Sequence, residues 1–125
     1  MADFDIEFNG NVIREIEQLQ YRAALRTANS VLLDVSAEEV VPFDNGIMEA
    51  SGQTNPTQCG AQITYGTNYV EKQYFDESLQ HNQGPHAGTA KSHWLDDYVD
   101  GDKKDWVQEK FGQHYQTEFR RMFGL

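Results

Sequence analysis

From residue 12 to about residue 39 the chain carries neither glycine nor proline, and Val12, Ile16, Leu19, Ala23, Ala28, Val31, Leu32 and Val35 recur at helical spacing. An apolar stripe of this kind buries one side of a helix and leaves the other to solvent. Here the other side holds Arg14, Glu15, Glu17, Gln18, Arg22 and Arg26. The pattern predicts one long amphipathic helix, with a bend or break where the stripe slips between Ala23 and Ala28. Ahead of it, Phe4, Ile6 and Phe8 alternate with Asp3, Asp5 and Glu7, the period of a short half-buried strand. Asn9-Gly10-Asn11 is a turn in which either asparagine can cap the helix.

The helix must end before Pro42, whose ring disfavours helical geometry at Val41. Residues 42–46, Pro-Phe-Asp-Asn-Gly, are turn formers. Residues 47–50 can make one helical turn, and Asn55-Pro56 is expected to interrupt the chain again. Ala61, Ile63 and Tyr65 alternate with Gln62 and Thr64, which predicts a strand paired with residues 51–55 through a loop containing Cys59 and Gly60. Tyr69, Val70, Gln73 and Tyr74 suggest a short helix. Residues 81–92, rich in Gly, Pro, His, Asn and Gln, read as a mobile loop. Residues 91–99 suggest another short helix. Asp102 is expected to cap a last helix that presents Val107, Phe111, Tyr115, Phe119 and Met122 on one face and ends with Arg120 and Arg121. The sum is a single α+β domain over residues 1–125: a long N-terminal helix packed on a small antiparallel sheet, with a C-terminal amphipathic helix.

Composition narrows the class. At 125 residues one domain with its own core is expected. The aromatic share of 12% argues for a folded chain. With one cysteine, Cys59, no intrachain disulfide can form. No apolar run is long enough to span a membrane, and the acidic start is unlike a secretory signal, so a cytoplasmic origin is expected. The net charge of −10 disfavours a nonspecific nucleic-acid binder. No basic residue falls between Arg26 and Lys72, whereas Asp34, Glu38, Glu39, Asp44 and Glu49 do. That stretch is either a solvated acidic face or a surface that repels DNA.

Catalytic and cofactor signatures are not found. His81, His86, His93 and His114 lack the short-gap spacing of zinc ligands. Cys59, beside a glycine in a hairpin loop, has no sign of a lowered thiol pKa. There is no phosphate loop, dinucleotide fingerprint or nucleophile elbow. No enzyme activity, cofactor or metal is therefore expected. Trp94, Tyr98, Trp106, Phe111, Tyr115, Phe119 and Phe123 crowd the last third of the chain. They are either an aromatic core or, in part, contacts for a partner subunit, with Trp94, Tyr98 and Trp106 the candidates.

Two local motifs carry a resemblance. Residues 42–52, Pro-Phe-Asp-Asn-Gly-Ile-Met-Glu-Ala-Ser-Gly, resemble the Pro-x-Asp-Thr-Gly-x-Leu-x-x-Ser pattern of tailed-phage minor capsid and tail-completion proteins. Residues 65–75, Tyr-Gly-Thr-Asn-Tyr-Val-Glu-Lys-Gln-Tyr-Phe, are similar to that family's Tyr-x-Thr-x-Tyr-Ala-x-x-Gln-Tyr. Asn45, Met48 and Val70 depart from the usual Thr, Leu and Ala while keeping size or turn chemistry. In the first motif, Pro42, Asp44, Asn45, Gly46 and Ser51 read as a fold-marking turn, with Gly46 free to take a positive φ. The resemblance implies a structural virion protein of the neck, a homo-oligomeric ring between the head-completion ring and the tail-terminator or tail-tube proteins. DNA would pass through its lumen without specific binding. Either the acidic stretch of residues 34–49 or that of residues 96–105 would line or border this channel. The alternative from a different class is an acidic, DNA-mimicking inhibitor or another small binding protein.

Overall fold

The long helix begins where the sequence offers a cap. Asn9 Oδ1 accepts the Asn11 amide proton at 2.8 Å, which satisfies one of the donors a first helical turn leaves free. Helix α1 then runs Gly10–Ala37. The structure is a computed structural model that describes residues 9–43, 46–58, 60–67, 69–79, 81, 83, 84, 86 and 88–125. The strand expected over residues 4–8 lies outside them, as do Asp44, Asn45 and Cys59.

The buried row of α1 is Leu19, Ala23, Thr27, Val31 and Val35, each four residues from the next. The expected slip between Ala23 and Ala28 does not break the helix, because Thr27 occupies the seam. Its hydroxyl donates to the Ala23 carbonyl at 2.7 Å. A polar group satisfied within its own helix can be buried at little cost. The helix ends ahead of Pro42, with Glu38 N–H bonded to the Asp34 carbonyl and Glu39 in the left-handed region at φ 56°.

A single helical turn, α2 (Ile47–Ala50), follows. Strands β1 (Gln53–Thr57) and β2 (Gly60–Thr64) then form a two-stranded antiparallel sheet with Thr54 opposite Ile63 and Pro56 opposite Ala61. Pro56 therefore lies inside a strand, where an interruption was expected. Both strands of a two-stranded sheet are edges, and an edge tolerates a residue that cannot donate to the ladder. The hairpin lies on α1. A β-carbon at Gly52 would come within 2.9 Å of both Leu32 Cδ1 and the Tyr65 ring, so only glycine allows the chain to pass between them.

Helix α3 spans Val70–Phe75. The next helix, α4, is shorter than the expected 91–99: it spans Asp96–Asp100. His93 sits at φ 50°, outside right-handed helical geometry, which delays the start. The described part of the intervening loop, expected to be mobile, is fastened by its hydrogen bonds. Gln83 both donates to the Ala90 carbonyl (3.1 Å) and accepts the Ala90 amide (2.9 Å), Thr89 Oγ1 donates to the Glu39 carbonyl (2.8 Å), and the Lys91 amide donates to the Val40 carbonyl (2.9 Å).

Helix α5 covers Lys104–Phe123. Its N-terminal flank is Lys103 without a side-chain cap, so Asp102 does not play the expected part. Instead the Lys103 amide donates to the Asp97 carbonyl at 3.0 Å, which ties α5 directly to α4. Helices α1 and α5 pack antiparallel, as the cross-pairs show: Lys103 with Asp34, His114 with Ser30, Glu118 with Arg26. The architecture is α+β, a long N-terminal helix packed on a small antiparallel sheet with the C-terminal helix alongside. The core joins Val31 and Val35 of α1 to Val41, Met48, Trp94 and Tyr98. Trp94 is enclosed by edge-on contacts from Tyr74 (centroids 4.7 Å apart) and Tyr65 (5.6 Å), an arrangement aromatic quadrupoles favour.

Candidate functional site

The two resembling motifs meet at one corner of the fold. Val41 and Pro42 are buried, Gly46 takes φ 81°, and a β-carbon on Gly46 would lie 2.9 Å from the Phe43 ring. Asp44 and Asn45, the other expected turn residues, lie outside the described residues. Ser51 joins the first motif to the second: its hydroxyl donates to the Met48 carbonyl at 2.6 Å and accepts the Gly66 amide at 3.1 Å. From there the chain passes Tyr65 and enters α3, whose Tyr74 packs on Trp94. The pattern therefore marks a junction between the end of α1, the hairpin and the core tryptophan.

Among the described residues, the acids of residues 34–49 do not form one open wall. Asp34 accepts hydrogen bonds from Tyr98 Oη (2.5 Å) and Lys103 Nζ (3.1 Å), and Glu38 lies 3.6 Å from the same ammonium. Partial burial alone would raise the Asp34 carboxyl, but the bonds from Tyr98 and Lys103 and the charges of Lys103 and Lys110 outweigh it, so its pKa falls below the ordinary value. Glu39 and Glu49 converge elsewhere, on His86. That imidazole is 5% exposed, with Nε2 3.3 Å from Glu49 and Nδ1 3.9 Å from Glu39. The carboxylates face opposite ring nitrogens, so one cation cannot take all three. Of the other histidines, His81 bonds Gln73 at 2.8 Å, His93 faces Asp96 at 3.0 Å and His114 meets Ser30 at 2.8 Å. Among the described residues no three His, Cys, Asp or Glu side chains converge as metal ligands.

The other acidic stretch is the open one. Asp96, Asp100, Asp102 and Asp105 are exposed, as are Glu71 and Glu77 of the adjoining α3 region. Asp96 holds the Tyr74 hydroxyl at 2.5 Å, and Asp97 pairs with Lys91 at 2.9 Å.

Two of the three expected subunit contacts are interior. Trp94 is 1% exposed and Tyr98 7%. Their surface is already spent on this chain's own core, so they have none to offer a partner. Trp106 is half-buried against Tyr98, with the ammonium groups of Lys103 and Lys110 over its ring at 5.6 and 5.7 Å. The aromatic face of α5 likewise departs from a simple inward stripe. Phe111, Phe119 and Phe123 remain exposed, while the most buried residue of the helix is Glu118, at 4%. Glu118 forms ion pairs with Arg26 (3.4 Å) and Arg121 (3.5 Å). Together with Ser30–His114 it forms a polar seam between α1 and α5 that the apolar pattern did not reveal. The signal was there in the four-residue spacing of Lys110, His114 and Glu118.

A groove of about 380 Å³ lies between α1, β2, α4 and α5 and is walled by Val31, Ile63, Leu95, Tyr98 and Val107. Its lining is apolar, apart from Thr27, Gln62 and a tyrosine hydroxyl already bonded to Asp34. Among the described residues no helix is long and apolar enough to cross a membrane. Compared with protein-family models, with curated proteins and with solved structures, the chain matches none.

Proposed function

We propose that the chain is a structural protein of a tailed-phage particle, a component of the neck ring that joins the head-completion ring to the tail. The observation that carries this reading is the Ser51 bridge. It brings the two motifs that resemble the minor capsid and tail-completion family into one hydrogen-bonded corner, in the order and spacing that family leads one to expect. The exposed acidic surface of α4 and its flanks supports the reading further, because a channel wall that lets DNA slide must not gain affinity for phosphate. On this view that surface, and not the paired Asp34, Glu38, Glu39 and Glu49, borders the lumen. The chain then works without cofactor or catalysis, through contacts with its own copies and with the rings above and below.

The test is electron microscopy of purified virions labelled with an antibody against this chain. Label at the collar between head and tail is the expected result. Unlabelled particles, with the protein found free in infected cells, would overturn it and bring forward an acidic inhibitor that mimics DNA.

A further inference from the structure

Four aromatic rings share one small pocket beside α3. Among the described residues it is lined by Tyr65, Tyr74, Phe75 and Trp94, with Val70 and Glu71, and its volume is about 180 Å³. The rings meet at steep angles: Tyr65 and Trp94 at 88°, Tyr74 and Trp94 at 74°, Tyr74 and Phe75 at 71°. Rings packed edge to face look in different directions, so together they wall a box and not a flat stack. Trp94 is its buried floor, and Phe75 stands open at its rim.

Such a pocket is too small for a drug-sized ligand, which fills about 300–1,000 Å³, and suits a single headgroup. Its polar groups are the Glu71 carboxylate and the tyrosine hydroxyls, and the Tyr74 hydroxyl already donates to Asp96 at 2.5 Å. A primary ammonium would leave N–H donors unmet among these rings. An ammonium whose hydrogens are replaced by methyl groups has no donor to satisfy. It offers apolar surface to the rings and keeps the charge that aromatic faces attract.

The surrounding charge has the matching sign. Glu71 is exposed at the pocket, and Asp96 and Glu77 are exposed near by. The neighbouring basic groups are accounted for: His93 lies between Asp96 (3.0 Å) and Glu77 (3.6 Å), and the charge of Lys72, which is not in the lining, acts on Asp76. The same acids repel a phosphate or a carboxylate, so a phospholipid headgroup does not fit.

We propose that this pocket binds the methylated ammonium group of a small organic cation that carries no anionic group. The site lies beside the acidic surface assigned above to the lumen, and a small bound cation leaves that role unchanged. The proposal does not rest on the neck reading, and virion labelling tests a separate claim.

The experiment is an NMR titration of the nitrogen-labelled chain with choline chloride, against sodium chloride at equal ionic strength. The two tryptophans give two indole N–H signals, assigned with a Trp106→Phe variant. Choline should shift the Trp94 signal saturably, with a Kd of about 10 mM or tighter. The Trp106 signal should stay in place, because Lys103 and Lys110 already stand over that ring. The neutral isostere of choline, with carbon in place of nitrogen, should bind at least tenfold more weakly, and phosphocholine at least threefold more weakly. Phe75→Ala and Glu71→Gln change exposed side chains. Each should weaken choline at least threefold while thermal melting shows that the fold is kept. The proposal is overturned by no saturable shift at Trp94, by equal shifts at both indoles, by an isostere or phosphocholine that binds as tightly as choline, or by folded variants that bind like wild type.

Discussion

Gly46 shows how one residue can fix a junction. It takes φ 81°, and a side chain there would press on the Phe43 ring. Gly46→Val should therefore cost about 1 kcal/mol or more from the left-handed backbone alone, with the clash in addition. A melting temperature within a degree of wild type would remove this turn from the account. Ser51 acts through hydrogen bonds. Ser51→Ala removes its bonds to the Met48 carbonyl and the Gly66 amide and should destabilise by about 1–3 kcal/mol. Chemical denaturation checks it, and the motif corner has no structural role if the midpoint does not move. The sequence already gave Gly46 a positive φ and placed Ser51 in the motif. It did not give the partner of Ser51, because Gly66 is fifteen residues away and meets it only after the hairpin has folded back.

At the scale of elements, the α1–α5 pairing is the contact whose chemistry pattern reading missed. Helical periodicity finds apolar faces, and this seam is closed by Ser30–His114 and by Glu118 between Arg26 and Arg121. A buried carboxylate is tolerated only when paired, so removing its partners is costly. Glu118→Ala should leave two arginines facing each other across the seam and lower the melting temperature by several degrees. Full retention would mean the seam carries no weight.

The seam also sets a pH response. Burial, and then the Arg26 and Lys110 charges, lower the His114 pKa below its ordinary value of 6.5, against a weaker upward pull from Glu118. The unfolded chain thus takes up a proton near pH 6.5 that the folded chain refuses until lower pH. Over that window the unfolded state binds more protons, so stability falls as the pH drops. Melting temperatures measured from about pH 7.5 down to 5.5 should fall, and His114→Gln should flatten the curve. Parallel curves for the two proteins would show that His114 stays as easily protonated in the fold as outside it.

For the whole molecule, the centre is Trp94. It lies near the end of the long loop that joins α3 to α4, and α1, the motif corner and α3 close around it. Trp94→Ala should cost about 3–5 kcal/mol, a large share of the stability of a domain this size. Circular dichroism at 37 °C is the check, and a native-like cooperative melt with an unshifted midpoint would contradict the placement. The charge of the molecule is likewise a property of the whole. Its net value of −10 conceals the clustering of all five arginines, Arg14, Arg22, Arg26, Arg120 and Arg121, on two segments that only the antiparallel return of α5 along α1 brings together.

By itself the sequence determined what depends on neighbours along the chain: the long helix and its asparagine cap, the single turn over Ile47–Ala50, the hairpin, the short α3 and the last helix. Periodicity and turn chemistry act within a few residues, so they are visible without coordinates. Tertiary structure decided what depends on residues far apart. It kept Pro56 in a strand by leaving that strand an edge, and shortened α4 by holding His93 left-handed. It turned Trp94 and Tyr98 inward, paired Asp34 and Glu38 with Lys103, and left the aromatic face of α5 partly bare. Each of these is settled by which surface a neighbour covers and which charge it brings, quantities that exist only once the chain has closed on itself.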